Sequence, residues 1–350
     1  MMKKDRTAFA LLINDIHLSK DNTVDFNKNW DEALSVCEQH GIEFLVIGGD
    51  LWQSRSGQTL NVLMTARAAI LRAIKAGLKV IIESGNHDKV DPESVFSYNH
   101  IFSHLKNVRV VDETYGLQVS EDVILWLISY FPENGSFIEK LNEVTDMMKP
   151  TDTNILYCHE GINGVISNNS DKELSTKVFA AFDKVLVGHY HDRAILDNGR
   201  IEYIGASRQH NFGEDEEKGY TIVYTDGSTQ FIKNQTNTRY TTIVIPLDEI
   251  DNTKQQITDA GEDTKIRLQI ECDQDRVATI DKQSLIALGV TKIEIKTKEA
   301  MSYSPTQELG TKFNKDGLKD EYSRFCIQRE IENIDMGLQY LDKIEGICGN

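Results

Sequence analysis

The chain has 350 residues, enough for one large domain and a smaller second one, and an ordinary globular composition. Its apolar runs are too short to cross a bilayer, and the first, Phe9–Ile13, enters polar residues without a signal-peptide cleavage site. Five scattered cysteines form no Cys-x-x-Cys pair, so we expect neither a disulfide framework nor a structural zinc site. We expect the protein to be cytoplasmic.

The formal net charge of -17 opposes non-specific binding to nucleic acid, which depends on cations that neutralise phosphates. Two bound divalent cations would add about four positive charges at one place. Much of the acid lies away from the motifs described below, in Glu214–Glu217 and in the last hundred residues.

Strands and helices alternate in the N-terminal third of the chain. The apolar patterns predict three strands and two helices in the order strand Ala8–Ile13, helix Asn27–His40 capped by Gly41, strand Phe44–Ile47, helix Thr59–Lys75 and strand Leu78–Ile82. This alternation predicts parallel pairing with helices on both faces of a sheet.

Shorter runs follow from residue 108. They predict the elements Val108–Val111, Leu117–Val119, Val123–Ile128, helix Phe137–Met148, Asn154–Cys158 and Lys184–Val187, then antiparallel strands at Ala194–Leu196, Ile201–Ile204, Tyr220–Tyr224 and Gln230–Ile232. We therefore expect an α/β fold with a mixed pair of sheets covered by helices.

A polar stretch, Asn234–Thr238, predicts a domain boundary. We expect a catalytic domain over residues 1–235, a small α/β cap over 239–300, and a linker with a C-terminal helix over 301–350. In the C-terminal helix an apolar stripe recurs at intervals of four and three, formed by Ile327, Ile331, Ile334, Leu338 and Leu341. The stripe either packs on the cap or binds a partner.

Residues of the kind that bind metals directly follow the predicted strands. They are Asp15 and His17, Asp50, the run Asn86-His87-Asp88, His159, and His189 with His191. Each motif alone is common by chance. Since ligands of open α/β sheets bind outside the carboxyl ends of the strands, their shared position indicates one site.

Carboxylate, imidazole and amide ligands together suit manganese, iron or zinc. Two such ions about 3.5–4 Å apart, bridged by a carboxylate, stabilise both the attacking and the leaving oxygen of a displacement at phosphorus. The sequence has no Gly-x-x-x-x-Gly-Lys loop, so metals rather than a nucleotide-binding loop would hold the phosphate.

The sequence resembles the calcineurin-like metallophosphoesterases over roughly residues 8–235, which implies a four-layer α/β/β/α sandwich. Four motifs carry the resemblance: Asp15-Ile16-His17-Leu18, Gly49-Asp50-Leu51-Trp52, Gly85-Asn86-His87-Asp88 and Gly188-His189-Tyr190-His191. Within that family, Cys158–Gly164, Tyr203–Ser207 and Lys218-Gly219 resemble the SbcD-type DNA repair nucleases and the nuclease subunit of the T-even phage recombination endonuclease.

The resemblance implies a role for each motif residue. One metal ion would be held by Asp15, His17 and His191, and the other by Asn86, His159 and His189, with Asp50 between them. Two Mn2+ ions are the expected cofactor and activate the attacking water. His87, oriented by Asp88, would protonate the leaving oxygen. Many relatives carry a histidine where this chain has Gln53, so the rate and the balance between exonuclease and endonuclease action stay open.

The same resemblance implies DNA as substrate, in repair or recombination, and an SMC-type ATPase that binds the C-terminal region. It also implies a homodimer through the helices near Thr59–Lys75 and Ser94–Leu105, and no membrane. Two alternatives remain. The acidic surface favours a phosphatase or phosphodiesterase for a small phosphoester or cyclic nucleotide. A non-catalytic scaffold is the other, and the complete set of metal ligands opposes it.

Five further features lie outside the metal-ligand motifs or beside them. Arg55 and Arg208 either contact phosphates or are solvated surface residues. His210 lies near the site, and we expect it not to bind metal. We expect Trp52 to pack beneath the site and Glu214–Glu217 to form a solvated loop.

Overall fold

The computed structural model describes residues 6–166, 172–261, 263–297, 315–328 and 334–343. The strands are β1 Ala8–Ile13, β2 Phe44–Gly48, β3 Lys79–Glu83, β4 Val108–Val110, β5 Thr114–Ser120, β6 Val123–Ile128, β7 Thr153–Cys158, β8 Lys184–Val187, β9 Ala194–Leu196, β10 Ile201–Tyr203, β11 Gly219–Tyr224, β12 Thr229–Lys233, β13 Arg239–Pro246, β14 Thr264–Cys272 and β15 Val290–Thr297. The helices are α1 Thr23–His40, α2 Leu60–Lys75, α3 Phe137–Met147, α4 Ile250–Asp259, α5 Lys282–Ala287, α6 Lys315–Gln328 and α7 Ile334–Lys343.

Two compact units divide the chain. The first consists of Met1–Thr242 with Ile257–Arg267, and the second of Ile243–Gln256 with Leu268–Asn350. All the predicted site residues belong to the first unit.

The first sheet has six strands in the order β12-β11-β1-β2-β3-β4. Strands β1 to β4 pair in parallel, and β11 is antiparallel to both β1 and β12. The parallel strands are short apolar runs because helices and a second sheet bury both of their faces. Helix α1 ends at Gly41, whose left-handed φ of 63° lets its amide bond the carbonyls of Cys37 and Glu38, as its sequence position predicts.

The second sheet also has six strands, in the order β5-β6-β7-β8-β10-β9. Strands β6, β7, β8 and β10 pair in parallel, while β5 and β9 lie antiparallel at the two edges.

Three apolar clusters show how these elements stack. In the middle cluster, Leu12 and Val46 of the first sheet pack with Leu125 and Ile155 of the second, so the two sheets lie face to face. The first sheet's other face packs on α1 and α2, and the second sheet's other face packs on α3. This arrangement confirms the expected four-layer α/β/β/α sandwich.

The second unit contains most of a three-stranded sheet in the order β13-β14-β15. Helices α4 and α5 lie between its strands in sequence, and α4 was not predicted. In the C-terminal region, Ile327 lies on α6, while Ile334, Leu338 and Leu341 lie on α7. Ile331 and residues 298–314 are outside the described residues, so the predicted domain limits at 300 and 301 stay predictions. Among the described residues no helix combines the length and apolarity needed to cross a membrane.

Candidate metal centre

The carboxyl ends of five parallel strands bring the predicted ligands together. Four of these residues have the positive φ values that non-glycine residues rarely adopt: 49° at Asp15, 48° at His17, 50° at Asp50 and 88° at His189. Such conformations cost on the order of 1 kcal/mol each and persist where the surroundings impose them, often at functional sites. The backbone therefore turns four predicted ligands toward one point at some cost in stability.

Two buried carboxylates form the middle of this cluster. The Oδ2 atom of Asp50 lies 3.5 Å from His17 Nε2 and 3.4 Å from His159 Nε2. The Oδ1 atom of Asp15 lies 3.7 Å from His159 Nε2 and 4.0 Å from His191 Nε2. The Nε2 atoms of His17 and His191 are 3.0 Å apart. Acceptor atoms this close to one another form the pocket that a cation needs.

Two atoms of this pocket are buried and, among the residues that the structure describes, have no hydrogen-bond partner. They are Asp15 Oδ1 and His159 Nε2. A buried polar atom without a partner costs about 1–3 kcal/mol. Divalent cations bound at these two atoms would remove that cost, so the donor set fits metal ions.

The side-chain amide of Asn86 lies beside two other predicted ligands. Its oxygen lies 3.3 Å from His189 Nδ1 and 3.3 Å from Asp50 Oδ2. Rotating the amide would let its nitrogen donate to both atoms and its oxygen accept from Arg55. The rotated orientation satisfies both polar atoms of the amide, so it is the position of Asn86 beside His189 and Asp50, and not the orientation of its amide, that bears on metal binding. Asn86, His189 and Asp50 thus form a second set of converging ligands.

The charges of the cluster also favour a cation. Burial lowers the pKa of His17 to about 3 and that of His189 to about 4, which keeps both rings neutral with a lone pair for a metal. Burial alone would lower the pKa of His159, but the charges of Asp50 and Asp15 raise it well above its ordinary value. Without a metal, the protonated ring of His159 supplies the positive charge that these carboxylates require.

Hydrogen bonds on the far side of two rings fix their orientation. The Nδ1–H of His159 donates to the carbonyl of Gly48 over 3.1 Å, and that of His191 donates to Glu214 Oε1 over 2.8 Å. Because the acceptors leave Nδ1 as the protonated nitrogen, Nε2 is the atom that would bind a metal in both rings.

The ring of His87 lies at the edge of the cluster, and its partner differs from the prediction. Its Nδ1–H donates to the backbone carbonyl of Gln53 over 2.9 Å. The carboxylate of Asp88 instead accepts the backbone amides of Trp52, at 3.1 Å, and Gly85, at 2.8 Å. The prediction that Asp88 orients His87 directly is therefore wrong. Asp88 fixes the two loops that carry Asp50 and Asn86.

An open cleft of about 430 Å³ leads to the cluster. Its walls are formed by His17, Asp50, Gln53, Arg55, Asn86, His87, His189, His191, His210 and Asn211. Arg55 therefore meets the solvent space in front of the ligands, as a phosphate-binding residue would. His87 shares that wall, with Nε2 on the side of the ring opposite Gln53.

Other predictions have mixed outcomes. Trp52 is fully buried and stacks on Phe102 beneath the site, as expected. Arg208 was expected either to contact phosphate or to be a solvated surface residue, and neither is right because it is only 3% exposed. It donates instead to the carbonyl of Ile16 and so stabilises the loop that carries Asp15 and His17. The prediction of a solvated loop at Glu214–Glu217 is wrong for Glu214, whose side chain is only 7% exposed, and is confirmed for Asp215, Glu216 and Glu217, which are exposed. No sequence signal distinguishes Glu214 from the three acidic residues that follow.

Comparison with known proteins gives distant similarities, and no protein-family model matches the chain. "Putative phosphoesterase 078R" of Invertebrate iridescent virus 3 is 21% identical over 219 residues, 62% of this chain and 62% of the viral protein. The chain thus spans less than two thirds of that relative's length. The crystal structure of Pseudomonas putida nuclease MPE is 18% identical, with a TM-score of 0.27, over 55% of this chain and 66% of that one. A dimetal phosphatase from Danio rerio is 13% identical, with a TM-score of 0.40, over 56% of this chain and 85% of that one.

Proposed function

We propose that this chain is a metal-dependent phosphodiesterase that cleaves DNA with two divalent cations, in repair or recombination. The observation that carries the proposal is the convergence of carboxylate, imidazole and amide side chains at an open cleft that is also lined by His87 and Arg55. The distant viral relative, which is named a phosphoesterase, agrees with that chemistry.

The ligands divide into two sets. Asp15, His17 and His191, which lie close enough to share one ion, would hold one cation. Asn86, His159 and His189 would hold the other, with Asp50 between the two sets. Manganese is the cation we propose, since it accepts carboxylate, amide and imidazole ligands together. When bound, two such cations polarise a phosphoryl group and activate water.

The chain's own residues supply the other requirements of phosphodiester cleavage. His87, oriented by the Gln53 carbonyl, presents Nε2 to the cleft and holds a proton for the leaving oxygen. The guanidinium of Arg55 binds a non-bridging phosphate oxygen. Asp88 keeps the two ligand loops in place through the amides of Trp52 and Gly85.

The acidic net charge bears on the choice of substrate. Arg55 is the one lysine or arginine among the described residues that line the cleft. We propose that an SMC-type ATPase, bound through the C-terminal region, provides the remaining grip on DNA, and that the nuclease acts as a homodimer. Phe325 and Ile327 on α6, which are 50% and 71% exposed, are consistent with a binding surface there. The same charge favours the second candidate, a phosphatase or phosphodiesterase for a small phosphoester.

Hydrolysis assays separate the two candidates. The full chain is incubated with Mn2+ and linear duplex DNA, single-stranded DNA, a chromogenic phosphodiester or a chromogenic phosphomonoester. We expect cleavage of DNA and of the diester, and none of either by Asp50→Ala. His40→Asn, a change at the exposed end of α1, is the matched control. Cleavage of the small esters alone, also after addition of the ATPase, would favour the second candidate.

A further inference from the structure

An acidic loop, residues 209–218, borders the proposed metal centre, and the side chain of Glu214 contacts one of the predicted ligands there. Glu214 accepts three hydrogen bonds: from His191 Nδ1 at 2.8 Å, from Asn211 Nδ2 at 2.7 Å and from the backbone amide of His210 at 2.9 Å. Its side chain is only 7% exposed. A buried carboxylate needs hydrogen bonds from the protein in place of those from water. Glu214 obtains them from His191, a predicted ligand, and from His210 and Asn211, which line the cleft.

A buried lysine anchors the other end of the 209–218 loop. Lys218, fully buried, donates from Nζ to Asp192 at 2.5 Å and to Asp215 at 2.9 Å. The amide of Asp215 also donates to Asp192 over 3.1 Å. Since Asp192 follows His191 directly in sequence, the loop is tied to the ligand at two adjacent residues.

The contacts of this loop favour one of the two ligand sets. The Nε2–H of His210 donates to the carbonyl of Asp15 over 2.8 Å, and its ring centroid lies 5.2 Å from that of His17 and 4.9 Å from that of His191. The contacts described above for Asn86, His159 and His189 are all made with residues outside the loop. The loop thus supports the set Asp15, His17 and His191.

We propose that Glu214 is a positioning residue that, through its hydrogen bond to His191, sets how strongly this first set binds its cation. The inference rests on the metal centre of the proposed function. A carboxylate that accepts Nδ1–H holds the imidazole in one orientation and strengthens Nε2 as a ligand, and removing such a partner weakens metal binding about 10–100-fold.

Calorimetric titration of the metal-free full chain with Mn2+ tests the inference without any substrate. We expect two Mn2+ per parent chain. Glu214→Gln, which keeps the size of the side chain, is expected to weaken one of the two sites by about tenfold, and Glu214→Ala by up to about 100-fold. Glu216→Gln removes the same charge from an exposed position of the same loop and is expected to bind as the parent does.

A double-mutant cycle with His191→Ala shows whether Glu214 acts through that ring. In the His191→Ala background, Glu214→Ala is expected to cause no further loss of Mn2+ affinity. An equal loss in both backgrounds, or parent-like binding by Glu214→Ala, would overturn the inference, as would a parent that binds fewer than two Mn2+. A parent that binds two Mn2+ in this pattern but cleaves no phosphodiester would overturn the proposed function alone.

Discussion

The proposed role of His87 as proton donor is the part of the mechanism that a single substitution tests best. The side chain's hydrogen bond is to the Gln53 carbonyl, and its ring meets that of His17 edge-on at 4.8 Å. Losing one partly exposed hydrogen bond costs about 0.5–1.5 kcal/mol of folding stability. Losing a general acid slows the reaction about 10²–10⁴-fold, which is about 3–5 kcal/mol of activation free energy. His87→Asn should therefore fold and bind Mn2+ as the parent does, yet react slowly.

The decrease in kcat that His87→Asn causes should depend on the leaving group of the substrate. A DNA strand leaves as a sugar alkoxide, which needs the proton, whereas p-nitrophenolate leaves as a stable anion. We expect His87→Asn to lose about 10²–10⁴-fold in kcat on DNA and much less on bis-p-nitrophenyl phosphate. Steady-state kinetics on both substrates, with Mn2+ calorimetry on the same preparations, measure this difference. Equal losses on the two substrates, or lost Mn2+ binding, would refute a role for His87 as proton donor.

Three further predictions concern the cleft, the loops and pH. Arg55→Ala should raise KM for a phosphodiester about tenfold with little change in kcat. An unchanged KM would show that the guanidinium of Arg55 does not contact the substrate. Asp88→Ala leaves two buried amides without an acceptor and should lower the free energy of unfolding in urea by about 2–4 kcal/mol, which a parent-like midpoint would contradict. The pKa values of His159 and His191 are raised, so both rings stay protonated at pH values above the ordinary pKa of histidine. Binding Mn2+ must displace these protons, so Mn2+ affinity should increase as the pH is raised above 6.5, the ordinary pKa of histidine, with proton release in calorimetry; a pH-independent affinity would contradict this prediction.

The strands were predictable because burial on both faces requires short apolar runs. Ala8–Ile13, Val123–Ile128 and Lys184–Val187 have the predicted limits, since each is an apolar run between covered faces that is followed by a polar residue or by glycine. Helix α4 was missed because its sequence, Ile250–Asp259, is mostly polar and has few apolar residues to mark a buried face.

The site was predictable as far as it depends on strand ends. Asp15, Asp50 and His159 follow three apolar strands, and the sheets bring those ends together. What supports them was not predictable, because it depends on loop backbone and long-range contacts. The Gln53 carbonyl carries no side-chain signal, and Glu214 reaches His191 across a gap of 23 residues.

One assay tests the central claim most directly. It measures whether the parent chain cleaves a phosphodiester in a metal-dependent way and whether Asp50→Ala loses that activity. The parent is loaded with Mn2+, and calorimetry verifies that two ions bind. It is then assayed on linear duplex DNA and on bis-p-nitrophenyl phosphate beside Asp50→Ala and His40→Asn. We predict that the parent and His40→Asn cleave and that Asp50→Ala, which lacks the carboxylate between the two ligand sets, does not. A parent that binds both ions and cleaves neither substrate, or an Asp50→Ala variant as active as the parent, would contradict the account.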